Sequence, residues 1–320
     1  MCLYPKLIKN KKYLPNKKNG FNPPACTDER LRYVTAACGH CFECRKQKGN
    51  AWQIRMSEEM KNNKNAIFVT LTIDDENYKK LKRDVESEDD NEIARRAIRL
   101  FLERIRKATK KSIRHWFVTE KGHEESKRVH LHGIVWHDAG TELVKTHWKY
   151  GFVFIGEYVN DKTIRYITKY MTKDDHDNKG FVGKVFASAG IGKGYEESMN
   201  AGNNKFKGEE TNETYRLPNG SKMALPTYYR NKIYSEEERE ELWKAKLNKG
   251  IVYVCGEEVR VDDYEAYMNL LMYHREKQAR ITGENCQVWE EAKYKKQLMK
   301  QREYYKKEEK RILRGRIDNG

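Results

Sequence analysis

Val129-His130-Leu131-His132-Gly133-Ile134-Val135 reads as a β-strand that carries two imidazoles. Residues two apart on a strand project from one face, so His130 and His132 stand side by side while Val129, Leu131 and Val135 enter the opposite layer. Two imidazoles on a rigid strand make a partial site for a divalent cation. Upstream, residues 115–120 form a second strand candidate, and the polar link centred on Gly122 joins the two as a hairpin. Glu120, near the end of that partner strand, is the expected third ligand, because its carboxylate supplies the hard oxygen that Mg²⁺ or Mn²⁺ prefers. His123 in the link competes for the same role. The plainer reading makes both histidines exposed polar positions on an amphipathic strand.

Further out, Ala66-Ile67-Phe68-Val69-Thr70-Leu71-Thr72-Ile73 is almost continuous in β-branched and apolar residues and reads as a buried strand. An acidic loop over residues 84–90 precedes a helix over 93–108, where Ile98, Phe101, Leu102 and Ile105 recur at helical spacing. A strand over 151–158 and a helix over 162–173 follow. The order strand, helix, strand, strand, strand, helix predicts an α+β fold, a mainly antiparallel sheet of ferredoxin-like type with helices on its faces.

The second helix carries Tyr166, Tyr170 and Lys173 at i, i+4 and i+7, which share one helical face. A phenol titrates near ~10 and attacks poorly until a cation or base favours the phenolate, and Lys173 can supply that charge. A cation held by His130, His132 and Glu120 would polarise a scissile phosphate. The parts fit phosphoryl transfer, although a tyrosine pair at this spacing also occurs as simple packing.

Three of the seven cysteines, Cys38, Cys41 and Cys44, sit in one short segment, and in a reducing cytosol such clustering points to metal binding. With Cys26 they could give four thiolates to a tetrahedral Zn²⁺, and His40 could replace Cys26. The alternative is a set of reduced, partly buried thiols.

A net charge of +16 favours a polyanionic partner, so nucleic acid is the first to consider. No run approaches the ~18 apolar residues of a membrane span, and the first residues lack a secretory apolar block, so a cytosolic protein with no membrane partner is expected. The chain divides into an arm with the cysteine cluster (1–65), the sheet domain (66–180), a Gly/Lys-rich segment that reads as loop with little core (181–234) and a basic helical extension (235–320). Residues 1–50 show no strand or helix period, and the first helix is expected only over 52–60. Gly190-Ile191-Gly192-Lys193-Gly194 reads as a turn, with a DNA-backbone contact as a secondary role. Trp116, Trp136 and Trp148 are candidates for stacking on extruded bases or for the core. The extension holds helices over 235–247, 264–278 and 284–314, and the last is a solvated helix or a further DNA contact.

Two histidines separated by one bulky apolar residue, followed by a helix with two tyrosines, resemble the HUH endonuclease superfamily. More closely, the chain resembles the replication initiators of gokushovirus-type microviruses (Microviridae), small single-stranded DNA bacteriophages. The likeness rests on Met1-Cys2-Leu3 with Pro5 and Asn10, Cys38 to Arg45 with Trp52, Thr70-Leu71-Thr72, His130-Leu131-His132-Gly133, Tyr166 to Lys173, Gly190-Ile191-Gly192 and Leu225-Pro226-Thr227-Tyr228-Tyr229.

The resemblance implies a rolling-circle replication initiator whose HUH nuclease domain spans 66–180. One tyrosine would cut the origin strand, leaving a 3′-hydroxyl primer and a 5′-phosphotyrosine, and the second would rejoin the released strand. The expected partners are single-stranded and origin DNA with a host helicase and polymerase, in the bacterial cytoplasm. A relaxase or transposase of the same chemistry is the nearest rival, and a noncatalytic zinc-containing DNA-binding regulator is the rival of another class.

Overall fold

The computed structural model describes residues 2–122, 127–156, 158–172, 177–178, 181–260 and 262–282. His123, Lys173 and the helix expected over 284–314, with its basic residues, lie outside the described residues. Among the described residues no helix is long and apolar enough to cross a membrane.

Strand β1 (Lys6–Lys9) pairs antiparallel with β2 (Tyr33–Ala36), and helix α1 (Phe42–Asn62) follows. Both correct the sequence reading. The strands are four residues each, too short to show a period, and α1 starts inside the cysteine segment rather than at Trp52. Next come β3 (Ala66–Thr72), α2 (Asp75–Val85), α3 (Asp90–Thr109), β4 (Arg114–Lys121), β5 (Val129–Trp136), α4 (Gly140–His147), β6 (Val153–Gly156), α5 (Asp161–Lys169) and β7 (Val185–Ala187). Helices α2 and α4 and strand β7 are additions to the expected order. Asp74 caps α2 by accepting the Asn77 amide at 2.8 Å, and acidic residues fill its first turn while Lys82 and Arg83 occupy its last, in the sense the helix dipole favours.

The five strands form one sheet in the order β6-β3-β5-β4-β7, every pairing antiparallel. One face buries Val69, Leu71, Phe117, Leu131 and Val135 against Ile98, Phe101 and Ile105 of α3 and Val144 of α4. The other buries Trp116, Val118 and Ile134 against Met56 of α1 and Ile164 and Ile167 of α5. Period-2 alternation thus gives each strand two cores, each large side chain contributing about 1.5–3 kcal/mol of burial. Trp116, Trp136 and Trp148 are all buried, so their rings serve packing and are closed to bases.

The remaining described elements are β8 (Thr214–Arg216), β9 (Lys222–Ala224), α6 (Thr227–Ile233), α7 (Glu236–Lys249), β10 (Ile251–Val254), β11 (Glu257–Arg260) and α8 (Tyr264–Thr282). The segment expected as loop with little core instead has one, with Ile54 of α1 packed among Tyr195, Tyr215, Leu225, Tyr229 and Leu242. Its apolar mass is carried by tyrosines, whose hydroxyls bond inward, and hydrophobic periodicity does not register them. Tyr195 donates to Asn204 Oδ1 at 2.7 Å, Tyr229 to the Gly192 carbonyl at 2.7 Å, and Tyr215 to Glu58. The Gly190–Gly194 turn is held from within. The Gly192 amide donates to Glu59 Oε2 at 2.7 Å, and Arg114 donates to the Gly190 carbonyl at 2.7 Å, so those groups are closed to a DNA backbone. Helix α8 closes on the start of the chain. Arg275 Nε donates to the Leu3 carbonyl at 2.7 Å, and Gln278 Oε1 accepts the Phe42 amide at 3.1 Å.

Gly133, in the middle of β5, leaves no room for a side chain. A Cβ there would fall 2.5 Å from the Trp116 carbonyl oxygen and closer still to the Phe117 ring. Gly133→Ala is therefore expected to destabilise the fold by at least about 1–3 kcal/mol. Gly202→Ala, with nothing within 4 Å, should be near neutral; equal denaturant midpoints for the two variants would contradict this account.

Candidate active site and cysteine cluster

Strand register sets out the site in two rows. Thr72, His130 and Glu120 lie opposite one another across β3, β5 and β4, and Thr70, His132 and Val118 form the next row. Both rows face the side of the sheet covered by α1 and α5.

His132 is held on three sides. Its Nδ1 lies 3.0 Å from Thr70 Oγ1 and its Nε2 2.9 Å from Glu120 Oε2. Its ring stacks on Tyr170, with centroids 4.2 Å apart and planes 6° from parallel. His130 lies beside Gly122, where an added Cβ would come 2.9 Å from its Cε1. Burial pushes the His130 imidazole below its usual range, with a smaller push from His132, so it is neutral near pH 7.

Helix α5 presents the phenols. Asn160 caps it by accepting the Lys162 and Thr163 amides at 2.9 and 3.0 Å, and Ile164 and Ile167 fix its buried side. The helix ends at Lys169, yet Tyr170 keeps helical dihedrals as the capping residue, so the i, i+4 relation of the two tyrosines holds. Tyr166 is 52% exposed and packs edge-on against Phe68, whereas Tyr170 is half-buried. The Tyr170 hydroxyl donates to the Tyr166 hydroxyl. Burial first, and that hydrogen bond second, push the Tyr170 phenol well above the usual tyrosine range.

Tyr166, Tyr170, His130, His132 and Glu120 thus meet on one face. Arg45 joins them. It sits in the first turn of α1, is buried, and lines a small cavity with Glu120 and Tyr170. Local sequence reading missed this role because Arg45 lies far from the histidine strand in the chain; its only signal was its place next to Cys44.

The donor set suits a hard divalent ion, with two imidazoles and a carboxylate on adjacent strands. Two neighbouring ligands of an octahedral ion at about 2.1 Å stand about 3.0 Å apart, which matches the separation of His132 Nε2 and Glu120 Oε2, 2.9 Å.

Cys2, Cys38, Cys41 and Cys44 form a second centre. All four are buried, and their sulfurs lie within 4.8 Å of one another. The fourth thiol is Cys2, and this corrects the expected set. Cys26 is elsewhere, its thiol against the Asp28 carbonyl at 3.2 Å. Cys2 is too distant in sequence from Cys38 to belong to any local spacing, and α8 and the β10–β11 hairpin pack around the cluster with it. The Leu3 amide donates to Cys41 Sγ at 3.4 Å, that of Cys38 to Cys2 Sγ at 3.2 Å, and those of His40 and Cys41 to Cys38 Sγ at 3.4 and 3.3 Å. Such donors favour thiolates. Sulfurs around a tetrahedral zinc at about 2.3 Å stand about 3.8 Å apart. Cys38 and Cys44 are separated by 3.8 Å, and Cys2 and Cys41 by 3.9 Å. The cluster can hold a structural metal such as zinc.

Residues 66–175 match the family described as replication-associated protein ORF2, which supports a replication-initiator class. No curated protein matches the chain, nor does any solved structure.

Cobalt titration of the reduced chain tests the cysteine assignment. Cys2→Ser is expected to weaken or shift the thiolate-to-cobalt absorption, while Cys26→Ser leaves it unchanged; the reverse pattern would restore Cys26 as the ligand.

Proposed function

We propose that the chain is an HUH-type rolling-circle replication initiator that nicks one strand of origin DNA and stays attached to it through tyrosine. The observation that carries this reading is the Tyr170–His132 stack at 4.2 Å, which joins the phenols to the imidazole and carboxylate pair. The strand order also supports it. The first four strands of the domain lie fourth-first-third-second across the sheet, as in a ferredoxin-like arrangement, with β7 added at the edge.

His130, His132 and Glu120 would hold Mg²⁺ or Mn²⁺, whose charge would offset that developing on the phosphate oxygens. Tyr166 makes the first cut in this reading, because it is the more exposed phenol and accepts the Tyr170 hydrogen bond, which stabilises its phenolate. Its Oη forms a bond to phosphorus as the bond from phosphorus to O3′ breaks. The proton lost by tyrosine balances the one gained by O3′, leaving a 5′-phosphotyrosine and a 3′-hydroxyl. Tyr170, one helical turn on, makes the second attack that rejoins the released strand. Arg45 gives a fixed positive charge at the rear of the cavity. The four cysteines hold zinc and fix the start of α1, and with it Arg45. Lys173, outside the described residues, keeps its proposed role as a cation near the phenols. Single-stranded and origin DNA are the substrates, with host helicase and polymerase as partners in the bacterial cytoplasm, and the microvirus group is the nearest likeness.

Incubation with single-stranded origin oligonucleotides and Mn²⁺ tests the reading. The wild-type chain is expected to form a denaturant-resistant protein–DNA adduct. Tyr166→Phe should lower its yield to background in a single round, and Tyr170→Phe should retain it. An adduct that persists in the double Phe variant would refute tyrosine chemistry.

The arginine has its own test. Arg45→Met should slow adduct formation by roughly 10²–10³-fold, as loss of one preorganised donor does, with Arg45→Lys in between. Wild-type rates in Arg45→Met would remove it from the site.

A further inference from the structure

The β6 edge of the sheet carries two phenylalanines that no core absorbs, Phe152 at 68% and Phe154 at 51% exposure. Phe154 lies opposite Thr70, and Thr70 lies opposite His132, so Phe154 continues the His132 row to the open edge. Phe152 is two residues earlier, at the level of Thr72, whose amide donates to its carbonyl at 3.0 Å. Alternation puts the two rings on one face.

The rings connect to the phenols. Phe154 meets Phe68 edge-on at 6.3 Å between centroids, and Phe68 meets Tyr166 edge-on at 6.2 Å. Beside this aromatic run, α5 exposes Lys162, Arg165 and Lys169. Lys162, Tyr166 and Lys169 follow one another at i, i+4 and i+7, so the cations flank the exposed phenol on one side of the helix.

An exposed apolar face with cations along one margin fits one ligand best. Nucleobases offer flat faces to aromatic rings while their phosphates meet lysine and arginine. A second copy of a chain with net charge +16 would bring its own positive field against those cations.

We propose that Phe152 and Phe154 form a base-stacking platform that holds single-stranded DNA beside the Tyr166 hydroxyl. The platform deepens the initiator reading and rests on it for the identity of the strand, the one to be cut. It also takes the stacking role that the buried tryptophans cannot fill.

Equilibrium binding of the full chain to a labelled single strand of about 20 nucleotides, without added divalent metal, reads the platform directly. Phe152→Leu and Phe154→Leu, apolar but not aromatic, are each expected to weaken binding roughly 5-fold or more, and Phe154→Trp to preserve it. An abasic strand should bind the wild type less tightly and be indifferent to the Leu changes. Wild-type affinity in both Leu variants would overturn the proposal. So would a wild-type dimer in sedimentation that Phe154→Leu dissociates without altering DNA affinity. The two readings fail separately. Ring-dependent DNA binding with no tyrosine adduct sinks the nicking reading and leaves the platform, whereas an adduct whose yield and DNA affinity ignore the Leu changes sinks the platform alone.

Discussion

The contact on which the site depends is the grip on the His132 imidazole. Thr70 from one strand, Glu120 from another and Tyr170 from α5 each meet a different part of that ring. A histidine free on a sheet face would sample several rotamers, and a phenol free on a helix would swing with its χ angles. Stacking at 4.2 Å and hydrogen bonds at both nitrogens remove those freedoms together, so strand register and helix position are read out at one ring. The arrangement needs no ligand to form, which is the preorganisation that phosphoryl transfer rewards.

The sequence made the centre of the sheet legible because its signals are local. Val129 to Trp136 alternates cleanly, and the observed β5 has those bounds. The strand expected over 115–120 lies within β4, and the i, i+4 spacing of Tyr166 and Tyr170 survives although the helix itself stops at Lys169. What escaped notice depends on distant contacts. Cys2 joins Cys38 only after β1 and β2 pair, and the tyrosine-rich core beyond Phe181 is assembled from residues that hydropathy scores as neutral. The tryptophans illustrate the opposite case. A ring that can stack on a base can equally fill a core, and only burial separates the two.

Helix α1 joins parts that look separate in the chain. Its first turn holds Cys44 and Arg45, its middle meets α5 through Gly49, where an added Cβ would lie 3.2 Å from Thr172 Cγ2, and its end carries Glu59. Buried Glu59 binds Arg114 of β4 and the Gly192 amide together. Replacement of either partner would leave a carboxylate buried without full compensation, which typically costs several kcal/mol. The cysteine cluster, the phenol helix and the tyrosine core are therefore braced by one element.

The closure of α8 over the first residues has a kinetic meaning. Leu3 and Phe42 receive partners from Arg275 and Gln278, more than two hundred residues downstream. On a ribosome the beginning of this chain waits, with its thiols uncovered, until nearly all the described protein has emerged. Closing so long a loop slows folding, so the interval before α8 arrives is when those sulfurs are most open to oxidation or to capture of the wrong ion.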